Sequence, residues 1–261
     1  RAGTTSTSGM EMDPASAFSF DMNYCGSPPT LETLWGRWNF EPGLLSVLVL
    51  TALAGFVLLR QAEPRRQLAF AGAWLLAVVL FVSPICALSV ALFSVRVGHH
   101  VALTMILAPL LALALPVRWG LRASLMPPLV LSTLALWLWH APDFYTAAFT
   151  HPAIYWLMQL SLIAGFTWLW LGLLRSHAAM AAGISALCSA IQMGLLGALL
   201  VFAPSPLYLP HLGSTLNFGL SPLEDQQLAG LIMWVPANLP LLALVLWRLV
   251  LALRAEQAVA E

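Results

Sequence analysis

From residue 43 onward the chain is a succession of long apolar runs, separated by short polar stretches that hold most of the Arg, Pro and Gly residues. A helix crossing the hydrocarbon of a bilayer needs about 20 mostly apolar residues at roughly 1.5 Å each. Seven segments meet that requirement, at 43 to 60, 67 to 83, 97 to 115, 123 to 140, 153 to 174, 180 to 203 and 227 to 253. The pattern predicts an all-α integral membrane protein, a seven-transmembrane-helix bundle. Residues 1–42 form a polar tail rich in Ser, Thr, Gly and Pro, 43–253 the membrane domain and 254–261 a short C-terminal tail. The first tail lacks the basic region and short apolar stretch of a cleavable signal and reads as a translocated, poorly ordered segment. It starts at Arg1, so Met10, Met12 or Met22 are candidates for a natural start. Pro109 inside the third span predicts a kink, and Pro127 with Pro128 predicts a helix start.

Composition supports this reading: 60% of the 261 residues are hydrophobic, 8% are charged and the mean hydropathy is +0.85, more apolar surface than a soluble core could hide. All 11 cations are Arg. Without Lys the chain cannot form an internal Schiff base, which removes retinal-type seven-helix proteins and aldolase-type chemistry. A formal charge of zero without a strongly basic patch argues against nucleic acid as a partner. Arg60, Arg65, Arg66, Arg118, Arg122, Arg175, Arg248 and Arg254 fall on one side of an odd-numbered bundle, Arg1, Arg37 and Arg96 on the other. The positive-inside rule then places the N-terminus outside and the C-terminus in the cytoplasm of a cell whose inner (plasma) membrane holds the protein. Most acidic residues, including Glu11, Asp13, Asp21, Asp143, Glu224 and Asp225, gather at the opposite, outer side.

Histidine follows the same asymmetry: His99, His100, His140, His151 and His211 lie at or beyond the outer face, and His177 alone lies inside. An imidazole at a low-dielectric boundary needs a partner, and near neutral pH it is a common metal ligand. His99 or His100 and His140 end adjacent spans. Neighbours in a helix point about 100° apart, so one of the first two faces the bundle; His100 is the expectation. Met105, Met158 and Met233 fall roughly 8 to 12 Å below the outer ends of their spans. With Cys86 just outside span two and Cys25 in the outer tail, imidazole, thioether and thiolate would suit Cu(I). Packing competes at each Met, and Cys25 and Cys86 are also the pair open to a disulfide in an oxidising compartment. Asp225, Gln226 and Gln227 form the densest polar patch beside an apolar run, for which helix capping is the alternative. Gly230, on one face with Gln226 and Met233, would let another helix approach closely. No CxxC, HExxH, GxGxxG or Walker-type loop supports redox dithiol, zincin or nucleotide chemistry, and no catalytic residue is expected.

The stretch SPLEDQQLAGLIMWVP at 221–236 resembles the seventh-span signature of the multi-spanning CtaG-like cytochrome c oxidase assembly proteins. LGALLVFAPSPLY at 196–208, WLWHAPDFYTAAF at 137–149, ALFSVRVGHHVALTMILAPLL at 91–111, YCGSPP at 24–29 and WGRWNFEPGLL at 35–45 are similar as well. The resemblance implies a non-enzymatic assembly factor for a haem-copper oxidase, acting on maturation of its copper centre beside an oxidase subunit. Against the family pattern, Arg96 stands where many members have His, the following pair reads His99 and His100, and Tyr155 and Gln159 stand where histidines are common; His100 and His140 carry over. A structural accessory subunit without metal, and a membrane haem protein using His100 and His140 as axial ligands, are the competing readings.

Overall fold

A computed structural model of the chain describes residues 24–116 and 124–260. Arg1, Glu11, Asp13, Asp21, Arg118 and Arg122, used above for orientation, and the candidate start methionines lie outside the described residues, as does most of the polar tail.

Every regular element among the described residues is helical. The helices are α1 (Pro42–Leu59), α2 (Pro64–Val82), α3 (Ile85–Ala91), α4 (Phe93–Ala102), α5 (Ala108–Ala114), α6 (Met126–His140), α7 (Pro142–Thr150), α8 (Pro152–Arg175), α9 (Ala179–Phe202), α10 (Pro222–Trp234) and α11 (Leu239–Ala260). Among the described residues six segments are long and apolar enough to cross a membrane: α1, α2, α4 with α5 (Phe93–Ala114), α8, α9, and α10 with α11 (Pro222–Arg254). The expected fourth span is α6, whose 15 residues rise about 22 Å, short of a hydrocarbon layer of ~30 Å. Proline sets both limits, opening α6 in its first turn and starting α7 directly after Ala141.

Backbone groups at helix ends have no water to turn to inside a bilayer, so other helices must satisfy them. At the end of α5, Arg66 Nε donates to the Ala114 carbonyl at 2.9 Å, while the Arg175 guanidinium donates to the carbonyls of Ala112, Leu115 and Pro116. Arg248 does the same for Leu173 and Ser176 beyond α8. A cation at a helix C-terminus also complements the dipole.

The third span is jointed. Leu103–Leu107 forms a π-turn between α4 and α5, because Pro109 has no N–H for the Met105 carbonyl. The Ala108 N–H reaches back to Leu103, and the Thr104 carbonyl instead accepts from Trp170 Nε1 at 2.9 Å. Pro109 thus produces a change of winding just below the paired histidines.

Gly197 of α9 and Gly230 of α10 meet backbone to backbone. A Cβ at Gly230 would stand 2.6 Å from the Gly197 carbonyl oxygen, and one at Gly197 2.8 Å from that of Gly230. This close crossing is the approach expected at Gly230. α10 packs on α9 and α4, α8 on α6, α5 and α7, and α11 on α9. α1 is peripheral: of its 18 residues, Leu44, Leu48 and Gly55 are buried.

α10 begins at Pro222, five residues before the expected span. Ser221 and Glu224 form a reciprocal capping box with Pro222 in the first turn. The S-x-x-E spacing was visible in the sequence and marks this start.

Candidate functional site

The functional candidates converge on α4 and the start of α10. Its first turn has no cap of its own, since Leu92 is apolar; Asp225 of α10 supplies one. The carboxylate accepts from the Phe93 N–H at 2.6 Å, the Ser94 N–H at 3.1 Å and the Ser94 hydroxyl. Asp225 therefore caps a helix 131 residues away in sequence, while its own helix is capped by Ser221. Gln226 braces the loop between α9 and α10: its Oε1 accepts from Leu207 N–H at 2.7 Å and its amide donates to the Leu200 and Ser205 carbonyls. Gln227 is half-buried beside them. The polar patch thus joins elements together.

Nearly two turns further along α4, His100 faces His140 of α6, with ring centroids 6.2 Å apart. Both are buried. Together with Met233 of α10 and Met193 of α9 they line an enclosed cavity of about 10 Å³, whose other walls are mostly aliphatic. The His140 Nδ1 lies 2.7 Å from the Leu136 carbonyl. A carbonyl only accepts, so Nδ1 carries the proton and neutral His140 keeps its lone pair on Nε2. His100 Nε2 has no hydrogen-bond partner. A fixed tautomer held by a backbone carbonyl is the arrangement metal-ligating histidines use.

His99 is equally buried but stands edge-on to Phe81, 5.1 Å between centroids, and does not line the cavity. Met105 and Met158 are buried elsewhere in the bundle. Met193 takes the place expected for them; counting residues from a span's end gives depth but not rotation about the axis, which packing decides. Cys25 and Cys86 are bonded to each other. In that state neither sulfur is a thiolate, so the two cysteines drop out of the expected ligand set. Among the described residues no group of three or more His, Cys, Asp and Glu is placed to hold a metal ion.

Arg96, one turn before His100, is 2% exposed and forms no ion pair among the described residues. Its guanidinium carbon lies 5.3 Å from the ring centroids of Tyr145 and Phe149 and 5.4 Å from that of Tyr155, while Nε and Nη2 have no acceptor. Aromatic faces stand in for a counter-ion.

The loop between α9 and α10 folds over this region. Tyr208 donates to the His140 carbonyl at 2.8 Å, Ser214 to the Ala91 carbonyl at 2.6 Å, and His211 Nε2 lies 2.5 Å from the Tyr145 hydroxyl. Burial, with Arg96 nearby, pushes the His211 pKa down to about 3. In the sequence His211 stands among the histidines of one side without a partner in view, and Tyr145 carries no local signal of the contact.

Two imidazoles and two thioethers around a mostly aliphatic cavity form a soft donor set, without a carboxylate for acid–base work or an activated nucleophile. At about 10 Å³ the cavity between the two imidazoles is far smaller than a porphyrin. Fold and site together define an all-helical membrane protein with a buried histidine pair. Residues 52–255 match the family described as cytochrome c oxidase caa3 assembly factor (Caa3_CtaG), and the chain belongs to that family. No curated protein and no solved structure matches it.

Proposed function

We propose that this protein serves maturation of a haem-copper oxidase by holding Cu(I) at His100 and His140 and passing it to the oxidase catalytic subunit. One observation carries the reading: two buried imidazoles share a cavity with thioether sulfurs, one with its tautomer fixed for ligation and the other with an unpartnered Nε2. Copper is cargo here, and ligand exchange is the only chemistry required. His100 and His140 would hold the ion, Met233 or Met193 would favour the cuprous state, and the aliphatic wall would keep water away.

In this reading the bundle crosses the inner (plasma) membrane seven times, with α6 as the short crossing, the N-terminus outside and the C-terminus cytoplasmic. Arg60, Arg65, Arg66, Arg175, Arg248 and Arg254 support that orientation. The site then lies near the outer face, under the loop that Tyr208 anchors, where an oxidase subunit in the same bilayer can approach.

Copper analysis of detergent-purified protein from copper-replete cells tests this. About one copper per chain is expected, lost in His100→Ala and His140→Ala, and both variants should fail to restore oxidase copper in a deletion strain. A metal-free protein whose His variants still restore oxidase copper overturns the copper reading and leaves a scaffold.

A further inference from the structure

At the end of the bundle away from the histidines, α1 separates from its neighbours. It touches α2 closely at Gly55, where any Cβ would run into the Phe70 ring, and Trp74 Nε1 donates to the Leu48 carbonyl at 2.9 Å. No residue of α1 beyond Gly55 is buried. Two apolar cavities open on either side of the Gly55–Phe70 contact. One, of about 580 Å³, runs along Phe56, Leu59 and Ala71. The other, of about 540 Å³, runs along Leu58, Leu111 and Leu115. Cavities of this size facing a bilayer are filled by hydrocarbon, since water has too few polar partners there.

Their walls are not wholly apolar. Arg60 lines the first and Arg66 the second. The Gln67 amide donates to the carbonyls of Leu59, Arg60 and Ala62, folding the α1–α2 turn so that both arginines belong to one rim. Neither forms an ion pair among the described residues; Arg66 uses Nε on the Ala114 carbonyl and keeps its terminal nitrogens for a ligand, and the nearby Glu63 is paired with Arg65 at 3.4 Å. Arg60, Arg65 and Arg66 against Glu63 leave two positive charges in excess at this turn. Two adjacent acyl-sized slots beneath one doubly cationic rim match a two-chain lipid with an anionic head. We propose that the α1–α2 turn and its two cavities bind one anionic diacyl phospholipid, an acyl chain on each side of Phe70 and the phosphate against Arg60 and Arg66.

Native mass spectrometry of the delipidated full-length protein in mild detergent, titrated with dioleoyl phosphatidylglycerol or dioleoyl phosphatidylcholine, tests this. One phosphatidylglycerol per chain is expected, with a preference of about fivefold or more over phosphatidylcholine. The Arg60→Gln/Arg66→Gln pair should abolish the preference, Arg60→Lys/Arg66→Lys should retain it, and Ala71→Phe, which fills one slot, should weaken binding of both lipids. Inorganic phosphate at 10 mM should not displace the lipid. Equal binding of the two lipids to the wild type, a preference that survives the Gln pair, or displacement by phosphate alone overturns the proposal.

Discussion

The Asp225 carboxylate of α10 accepts the backbone N–H of Phe93 at 2.6 Å and so starts the helix that carries His100. Asp225 is fully buried, and its three donors have no water to replace it. Asp225→Ala leaves two buried N–H groups and a hydroxyl unsatisfied, at about 1–3 kcal/mol each. We expect a loss of about 3–5 kcal/mol, read as a lowered midpoint of thermal unfolding in detergent, with Asp225→Asn losing about half as much because its amide oxygen still accepts. An unchanged midpoint for the Ala variant would show that the cap is geometry without energy.

Arg96 supplies a charge without a carboxylate, held over the rings of Tyr145, Phe149 and Tyr155. Exchanging such a buried cation for an apolar side chain of similar length is often neutral or stabilising, whereas truncation leaves a cavity. Arg96→Met should therefore unfold within about 1 kcal/mol of the wild type, and Arg96→Ala about 2–3 kcal/mol earlier. On the copper reading, removing a positive charge one turn from His100 should also tighten Cu(I) binding about tenfold in a competition titration. Weaker binding by the Met variant would show that Arg96 supports the site in some way other than through its charge.

Much of this arrangement was legible before any coordinates. His100 and His140 stand out because a charge-poor chain places few polar groups near the membrane, and Gly230 because it shares a face with Met233. What escaped was decided by tertiary structure. Asp225 reads as a cap for its own helix, yet the helix it serves lies 131 residues away, and no local pattern links the two. Met105 and Met158 lie at suitable depths but not around the cavity, where the rotation of α9 brings Met193 instead. The shortness of α6 follows from prolines at both limits, whose effect on length a hydropathy window averages away.

The Cys25–Cys86 bond ties the segment before α1 to α3 across 61 residues of sequence. By chain entropy a cross-link of that span stabilises by about 4 kcal/mol at most, and less if the unfolded chain keeps its membrane helices. The Cys25→Ser/Cys86→Ser pair should lower the unfolding midpoint while leaving copper stoichiometry unchanged, because neither sulfur lines the histidine cavity. In the unreduced native protein Cys25 and Cys86 should not react with a water-soluble maleimide, and Cys188, whose exposed face lies within the membrane-spanning α9, should stay unreactive until the protein is unfolded. Copper lost from the double variant at a temperature where it is still folded would restore the cysteines to the ligand set.

His211 makes the loop between α9 and α10 sensitive to acid. Its pKa in the folded protein is pushed down to about 3, by burial first and by Arg96 second, against 6.5 in an open chain. Between those values the unfolded state binds a proton that the folded state refuses, so stability falls as pH drops below 6.5 and the loss is complete only near pH 3. The difference amounts to about 1.4 kcal/mol at pH 5.5 relative to pH 8. Other buried histidines respond in the same unfolding experiment, so the informative quantity is the difference between wild type and His211→Gln. The variant should be less stable at pH 8, where it loses the contact with Tyr145 at 2.5 Å, and the gap should narrow at pH 5.5. Because Tyr208 of the same loop donates to the His140 carbonyl, the acid-weakened loop should also expose the histidine cavity, seen as faster hydrogen exchange at residues 204–221 than the intrinsic pH dependence allows. Parallel stability curves for the two proteins would mean that His211 takes up its proton equally in the folded and unfolded states and that Tyr208, Ser214 and Gln226 hold the loop without it.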